Sequence, residues 1–245
     1  MENIELSRSE VRELNRNYIG RGHECFTFKY DDNGSIFALQ LLNTAKSETH
    51  INKLKKAIRL NQKVLDDRFI IPKKTVTVEG TFRGFACNYL DNAANFQDLI
   101  LGADDNTKLE LLRQAKDIIL TLQDNCIIHG DLSQFNFLIS KRIVHLIDMH
   151  NASVDGLPLD VTSYLTKQYL KHNEVDFGLD IYLFNLLTYA VFKGTSCAYA
   201  SEAIRKGSIS QDIQDVYNSM LAFKSMNREN MLIDRIKDKA KIRLL

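Results

Sequence analysis

Three side chains near the middle of the chain have the types and spacing for chemistry on phosphates: Asp131, Asn136 five residues later, and Asp148 beyond an apolar segment. Residues 136–139 and 143–147 read as two short strands separated by Ser140-Lys141-Arg142. Read as an antiparallel hairpin turning near Lys141, they place Asn136 opposite Ile147 and Asp148, at one end of the ladder. A carboxylate and an amide oxygen then converge there, and Asp131 lies in the loop that enters the same end. Hard oxygen donors suit magnesium, which takes one or two carboxylates and completes its shell with substrate phosphates. Phosphoryl transfer needs a carboxylate to orient the acceptor hydroxyl and ligands to hold metal against the β- and γ-phosphates. Asp131 and Asn136 are therefore the candidate catalytic residues, and Asn136 and Asp148 the candidate metal ligands.

These residues must be positioned by the elements around them. The first third of the chain reads as strands over 26–30 and 36–42 joined by Asp31-Asp32-Asn33-Gly34, a turn in which glycine supplies a positive φ. A helix over about 46–65 follows, with Ile51, Leu54, Ile58 and Leu65 on one stripe, and then two short strands over 75–78 and 83–88. Upstream of the hairpin, Gly20 and Gly22 allow a backbone to approach phosphates and donate amides to them. The remainder reads as helical. Its first helix opens with Thr107 as cap and Glu110 reaching back, and further helices are expected at about 175–193, 198–206, 210–225 and 228–243. The hinge between the strand-rich and helix-rich parts falls near 88–92.

The motifs together resemble the protein-kinase-like superfamily, and most closely its compact atypical members, the RIO kinases. That family has a G-x-G-K-E loop, a D-L-S-x-x-N catalytic loop and an I-D strand end. This chain has Gly20-Arg21-Gly22-His23-Glu24, Asp131-Leu132-Ser133-Gln134-Phe135-Asn136 and Ile147-Asp148. Lipopolysaccharide core heptose kinases and aminoglycoside phosphotransferases have a similar H-G-D loop and hairpin. The resemblance implies ATP, Mg2+ and transfer to a hydroxyl. It also implies an α+β, two-lobed protein-kinase-like fold, with a small antiparallel sheet and one helix in the first lobe and a mainly helical second lobe. Residues 1–90 would form the nucleotide-binding lobe and 91–245 the catalytic lobe.

On that alignment Gly20, Gly22, Gln40 and Glu48 become nucleotide-site residues. Gln40 stands where the family has a phosphate-binding lysine; it can donate a hydrogen bond but carries no charge. Lys29 is the alternative source of charge. Glu48, one turn before Ile51, falls where kinases place the glutamate that pairs with the lysine. Asp176-Phe177-Gly178 spells the kinase metal triplet but lies 40 residues after Asn136. It is expected to lead into a helix whose buried Asp180 bonds the catalytic-loop backbone. His129 is expected to bond near the Asp148 backbone rather than act as a base. Cys25, in the glycine loop, is expected to be a small packed side chain.

Bulk properties narrow the function classes. With 245 residues, 44% hydrophobic, the chain can bury a full core, and a net charge of +1 leaves no electrostatic footprint for nucleic-acid binding. The longest apolar stretch, 181–192, is shorter than the roughly 20 residues that span a bilayer and reads as a buried helix. Cys25, Cys87, Cys126 and Cys197 lack metal or disulfide spacing, which points to reduced thiols and a cytoplasmic setting. The basic residues from Arg235 to Arg243 alternate with acids and read as a solvated helix. The expected activity is magnesium-dependent transfer from ATP to a hydroxyl of a protein or a small-molecule or sugar acceptor. The alternatives are a pseudokinase scaffold, with Gln40 as the defect, and an ATPase that drives assembly.

Overall fold

The computed structural model describes residues 2–22, 25–44, 46–100, 102–154, 163–171, 174–206 and 231–235. Strand β1 (Glu2–Leu6) leads through helix α1 (Arg8–Glu13) and a single turn of 3-10 helix (Leu14–Asn17) to β2 (Tyr18–Arg21). Then come β3 (Cys25–Asp32), β4 (Ser35–Leu42), α2 (Glu48–Val64), β5 (Lys74–Val78) and β6 (Thr81–Asn88). The six strands form one sheet in the order β1-β5-β6-β4-β3-β2.

The β3–β4 hairpin forms as its sequence dictates. Asp32 pairs with Ser35, and the two residues between them, Asn33 and Gly34, take φ values of 55° and 86°. This is the left-handed pair that matches strand twist in a tight hairpin. The Asp31 carboxylate accepts the Gly34 amide at 2.6 Å.

The sheet departs from the expected antiparallel arrangement, because β1 runs parallel to β5. The alternation of Glu2, Ile4, Glu5 and Leu6 buries Ile4 and Leu6 in a short edge strand whose partner lies some 70 residues away. α1 is a second helix beside this sheet, with the Ser7 hydroxyl and Glu10 forming a reciprocal cap. One sheet face buries Phe28, Phe37, Leu39 and Leu41 with Leu14. Because strand side chains alternate, Ala38, Gln40 and Leu42 face the other way.

After β6 come β7 (Ala94–Asn95), α3 (Phe96–Ile100) and α4 (Asp105–Asp124). Next are β8 (Ile127–Ile128), the hairpin β9 (Phe137–Ser140) and β10 (Ile143–Leu146), and β11 (Ser153–Val154). Helices α5 (Tyr164–Leu170), α6 (Gly178–Lys193), α7 (Cys197–Arg205) and α8 (Leu232–Arg235) follow. The architecture is α+β, with a mixed sheet.

α4 begins earlier than Thr107. Asp104 caps it, accepting from the Asn106 and Thr107 amides at 2.9 and 3.1 Å. Asparagine and aspartate outrank threonine at this position. Glu110 is thereby left to pair with Arg142 at 3.0 Å. α6 is buried on every side from Gly178 to Val191 and ends at Gly194 with φ 66°, as an apolar core helix should. The expected helix over 210–225, and most of that over 228–243, lie outside the described residues. Within α8, Leu232 and Ile233 are buried and the Leu232 amide donates to Asn185 of α6 at 2.7 Å. The basic residues from 236 onward, expected on a solvated helix, lie outside the described residues.

Candidate active site

A cleft of about 780 Å³ opens between the sheet face of β3, β4 and β6 and the loop that precedes β9. Gly20, Gly22, Gln40, Asp131, Asn136 and Asp148 all border it.

The hairpin brings the last three together. In β9–β10, Ser140 pairs with Ile143 and Phe137 with Leu146, and one step further the Ile147 amide donates to the Asn136 carbonyl at 2.9 Å. Lys141 and Arg142 turn the hairpin with φ values of 51° and 65°. The segment after α2 clamps the outer side of β10: Ile70 donates to the Leu146 carbonyl, and Leu146 to the Arg68 carbonyl, each at 2.8 Å. The Asn136 amide group donates to the Asp131 carbonyl at 2.5 Å and to its carboxylate at 3.2 Å. The Asn136 Oδ1 atom is thus free to act as a ligand beside Asp148.

The loop carrying Asp131 is braced from below. Buried Asp180 of α6 accepts the His129 and Gly130 amides, each at 2.8 Å, while the Thr166 hydroxyl donates to the Gly130 carbonyl. His129 Nε2 meets the Ile147 carbonyl at 2.9 Å, and its Nδ1 accepts the Asp131 amide at 3.3 Å. The ring is therefore a brace between the loop and the strand that ends in Asp148. Burial raises the Asp131 carboxyl above the usual range, His129 and the Ser163 and Asn136 hydrogen bonds oppose the rise, and Asp148 adds to it.

Gln40 Nε2 donates to Asp148 Oδ1 at 3.2 Å, and its Oε1 faces the buried Cys87 thiol at 3.9 Å. Burial pushes that thiol well up, so it stays protonated and can donate. Asp148 itself adopts φ 62°, ψ 31°, an uncommon left-handed conformation for a residue other than glycine. A Cβ on Gly20 would meet nothing within 4 Å, so its glycine leaves open space in the cleft. Cys25 also borders the cleft, its thiol in no disulfide, and the neighbouring His23 and Glu24 lie outside the described residues.

Two expectations fail. Glu48 is exposed in the first turn of α2, does not border the cleft and has no ion-pair partner among the described residues. The buried stripe of that helix is Leu54, Ala57, Ile58 and Asn61, and Glu48 falls off it. Asn61, which carries no sequence signal beyond its register with that stripe, donates to the Met149 carbonyl at 3.1 Å. Lys29 supplies no charge to the cleft, since it reaches Asp91 at 4.0 Å and lies 4.6 Å over the Tyr89 ring. Arg21 is the one lysine or arginine among the described residues that border the cleft, and its guanidinium rests 5.2 Å over Phe26. Asp176 lies away from the cleft, where it accepts the Tyr169 hydroxyl at 2.8 Å.

The donor set fits a hard divalent cation. Asp148 and Asn136 present oxygens from adjacent strand ends, with room in front of them for phosphates. No helix among the described residues is long and apolar enough to cross a membrane. The family model for the RIO domain matches residues 90–159, which contain Asp131, Asn136 and Asp148. Over that stretch the chain is similar to a protein-kinase-like domain of RIO type. No curated protein matches the chain.

Proposed function

We propose that this chain, of RIO type over residues 90–159, is a magnesium-dependent ATP phosphotransferase that passes the γ-phosphate to a hydroxyl of a protein or sugar-like acceptor. The observation that carries the reading is the hydrogen-bonded convergence of Asp131, Asn136 and Asp148 at the mouth of one cleft. Asn136 and Asp148 would hold Mg2+, which neutralises charge on the β- and γ-phosphates. Asp131 orients the acceptor hydroxyl and takes up its proton. Gly20 and Gly22 leave space for the phosphates, and Gln40 donates from its amide toward Asp148. Residues 1–90 serve as the nucleotide-binding lobe and 91–245 as the catalytic lobe.

One observation favours a second reading, a pseudokinase that binds without turnover: the amide of Gln40 brings no positive charge beside Asp148. The readings separate with γ-labelled ATP, magnesium and a panel of protein and sugar acceptors. The enzyme reading expects label in an acceptor, and a loss of about 10²- to 10⁴-fold in Asp131→Asn with nucleotide binding retained. Wild-type protein that binds the nucleotide yet neither transfers label nor releases phosphate would be a pseudokinase.

A further inference from the structure

We propose that Asn61 of α2 is a positioning residue for Asp148, tying the helix to the metal-ligand turn through the Met149 carbonyl. The inference rests on the reading of Asp148 as a metal ligand.

Asn61 has 0% exposure and sits on the helix stripe made by Leu54, Ala57 and Ile58. Its Nδ2 donates to the Met149 carbonyl at 3.1 Å, whereas its Oδ1 is buried with no hydrogen-bond partner among the described residues. A half-satisfied amide among apolar neighbours is costly, and leucine, similar in size, would pack there without that cost. The polar choice therefore has its physical reason in the bond to Met149.

That bond falls on the downstream side of Asp148. Upstream, the Ile147 carbonyl meets His129, the Ile147 amide meets Asn136, and Asp148 Oδ1 receives Gln40. Downstream, the Met149 carbonyl also accepts a long bond of 3.4 Å from the Ala152 amide. Asp148 lies between these two sides in its left-handed conformation, so the orientation of the next peptide helps to set where its carboxylate points. Partners of this kind fix the direction of a metal-binding group without touching the metal. α2 is thereby coupled to the site through its buried fourth turn, where the sequence placed the coupling at Glu48.

The test compares wild type with Asn61→Leu, Asn61→Asp and Ile58→Val, the last removing a methyl group from the same stripe away from Met149. Magnesium-ATP affinity, the unliganded Tm and hydrogen exchange of the 148–152 amides are measured on each. Both Asn61 variants should bind magnesium-ATP about tenfold more weakly. Asn61→Leu should keep or raise the unliganded Tm and speed exchange at 148–152, whereas Ile58→Val should lower the Tm and leave affinity unchanged. Asn61→Leu with wild-type affinity and wild-type exchange would overturn the assignment. If wild type itself fails to bind magnesium-ATP, the nucleotide reading falls, and the exchange rates, read without ligand, decide the tie to Met149 alone.

Discussion

Gln40 donates its amide to Asp148, and the buried Cys87 thiol holds the other end of that amide, so the side chain orients the carboxylate without neutralising it. A lysine there would place a cation between Asp148 and the phosphates. Gln40→Lys is accordingly expected to tighten magnesium-ATP binding about tenfold in a calorimetric titration. Gln40→Glu, which sets a second carboxylate against Asp148, is expected to weaken it. At this scale the sequence was most legible where chemistry is local. Asp131, Asn136 and Asp148 sit within one loop and one tight hairpin, so counting along the chain places them. Glu48 was misjudged, and Asn61 not singled out, because the roles of both depend on where α2 packs, and no neighbouring residue encodes that. An asparagine on an apolar stripe reads as a surface residue until its carbonyl partner, 88 positions away, is seen.

Between elements, the approach of β6 to β4 sets the position of Gln40. Gly84 pairs with Leu41, and a Cβ on it would lie 1.9 Å from the Gln40 carbonyl oxygen. Gly84→Ala must therefore push the strands apart, with an expected loss of about 1–3 kcal/mol in urea unfolding and weaker nucleotide binding. α4 offers a separate, pH-dependent case. Hydrogen bonds from the Thr107 hydroxyl, then the Thr107 and Asn106 amides, hold the Asp104 carboxyl below its usual range. A lowered folded-state value means that the cap stabilises above the ordinary carboxylate range and is lost as pH falls through the folded value. Asp104→Ala should lower Tm at neutral pH, and the gap to wild type should close with acidification. The hairpins were legible because turn residues and alternation are neighbours in sequence. β1 was not, since five residues with two glutamates acquire their strand identity only from pairing with β5. The α4 cap was shifted because the Asp104 carboxylate takes the Asn106 and Thr107 amides and so starts the helix ahead of Thr107.

Across the whole molecule, the sheet stands between the cleft and one of two cores. One, beneath the sheet, centres on Leu39 and Phe28; the other runs from Leu54 and Ile58 of α2 to the interior of α6. Asp180 projects from that second core to hold the His129 and Gly130 amides, so α6 is the base on which the loop carrying Asp131 stands. The site's central claim is that Asp148 anchors nucleotide through metal while Asp131 acts on the acceptor. A ligand bound only by the folded state raises Tm by mass action, by about 2.7 kcal/mol of stability at one hundred times Kd. The decisive measurement is a thermal melt of wild type, Asp131→Ala and Asp148→Ala with millimolar ATP, with and without magnesium. A magnesium-dependent rise in Tm for wild type and Asp131→Ala, absent in Asp148→Ala, is the predicted result. An equal rise in Asp148→Ala, or no rise in wild type, would contradict it.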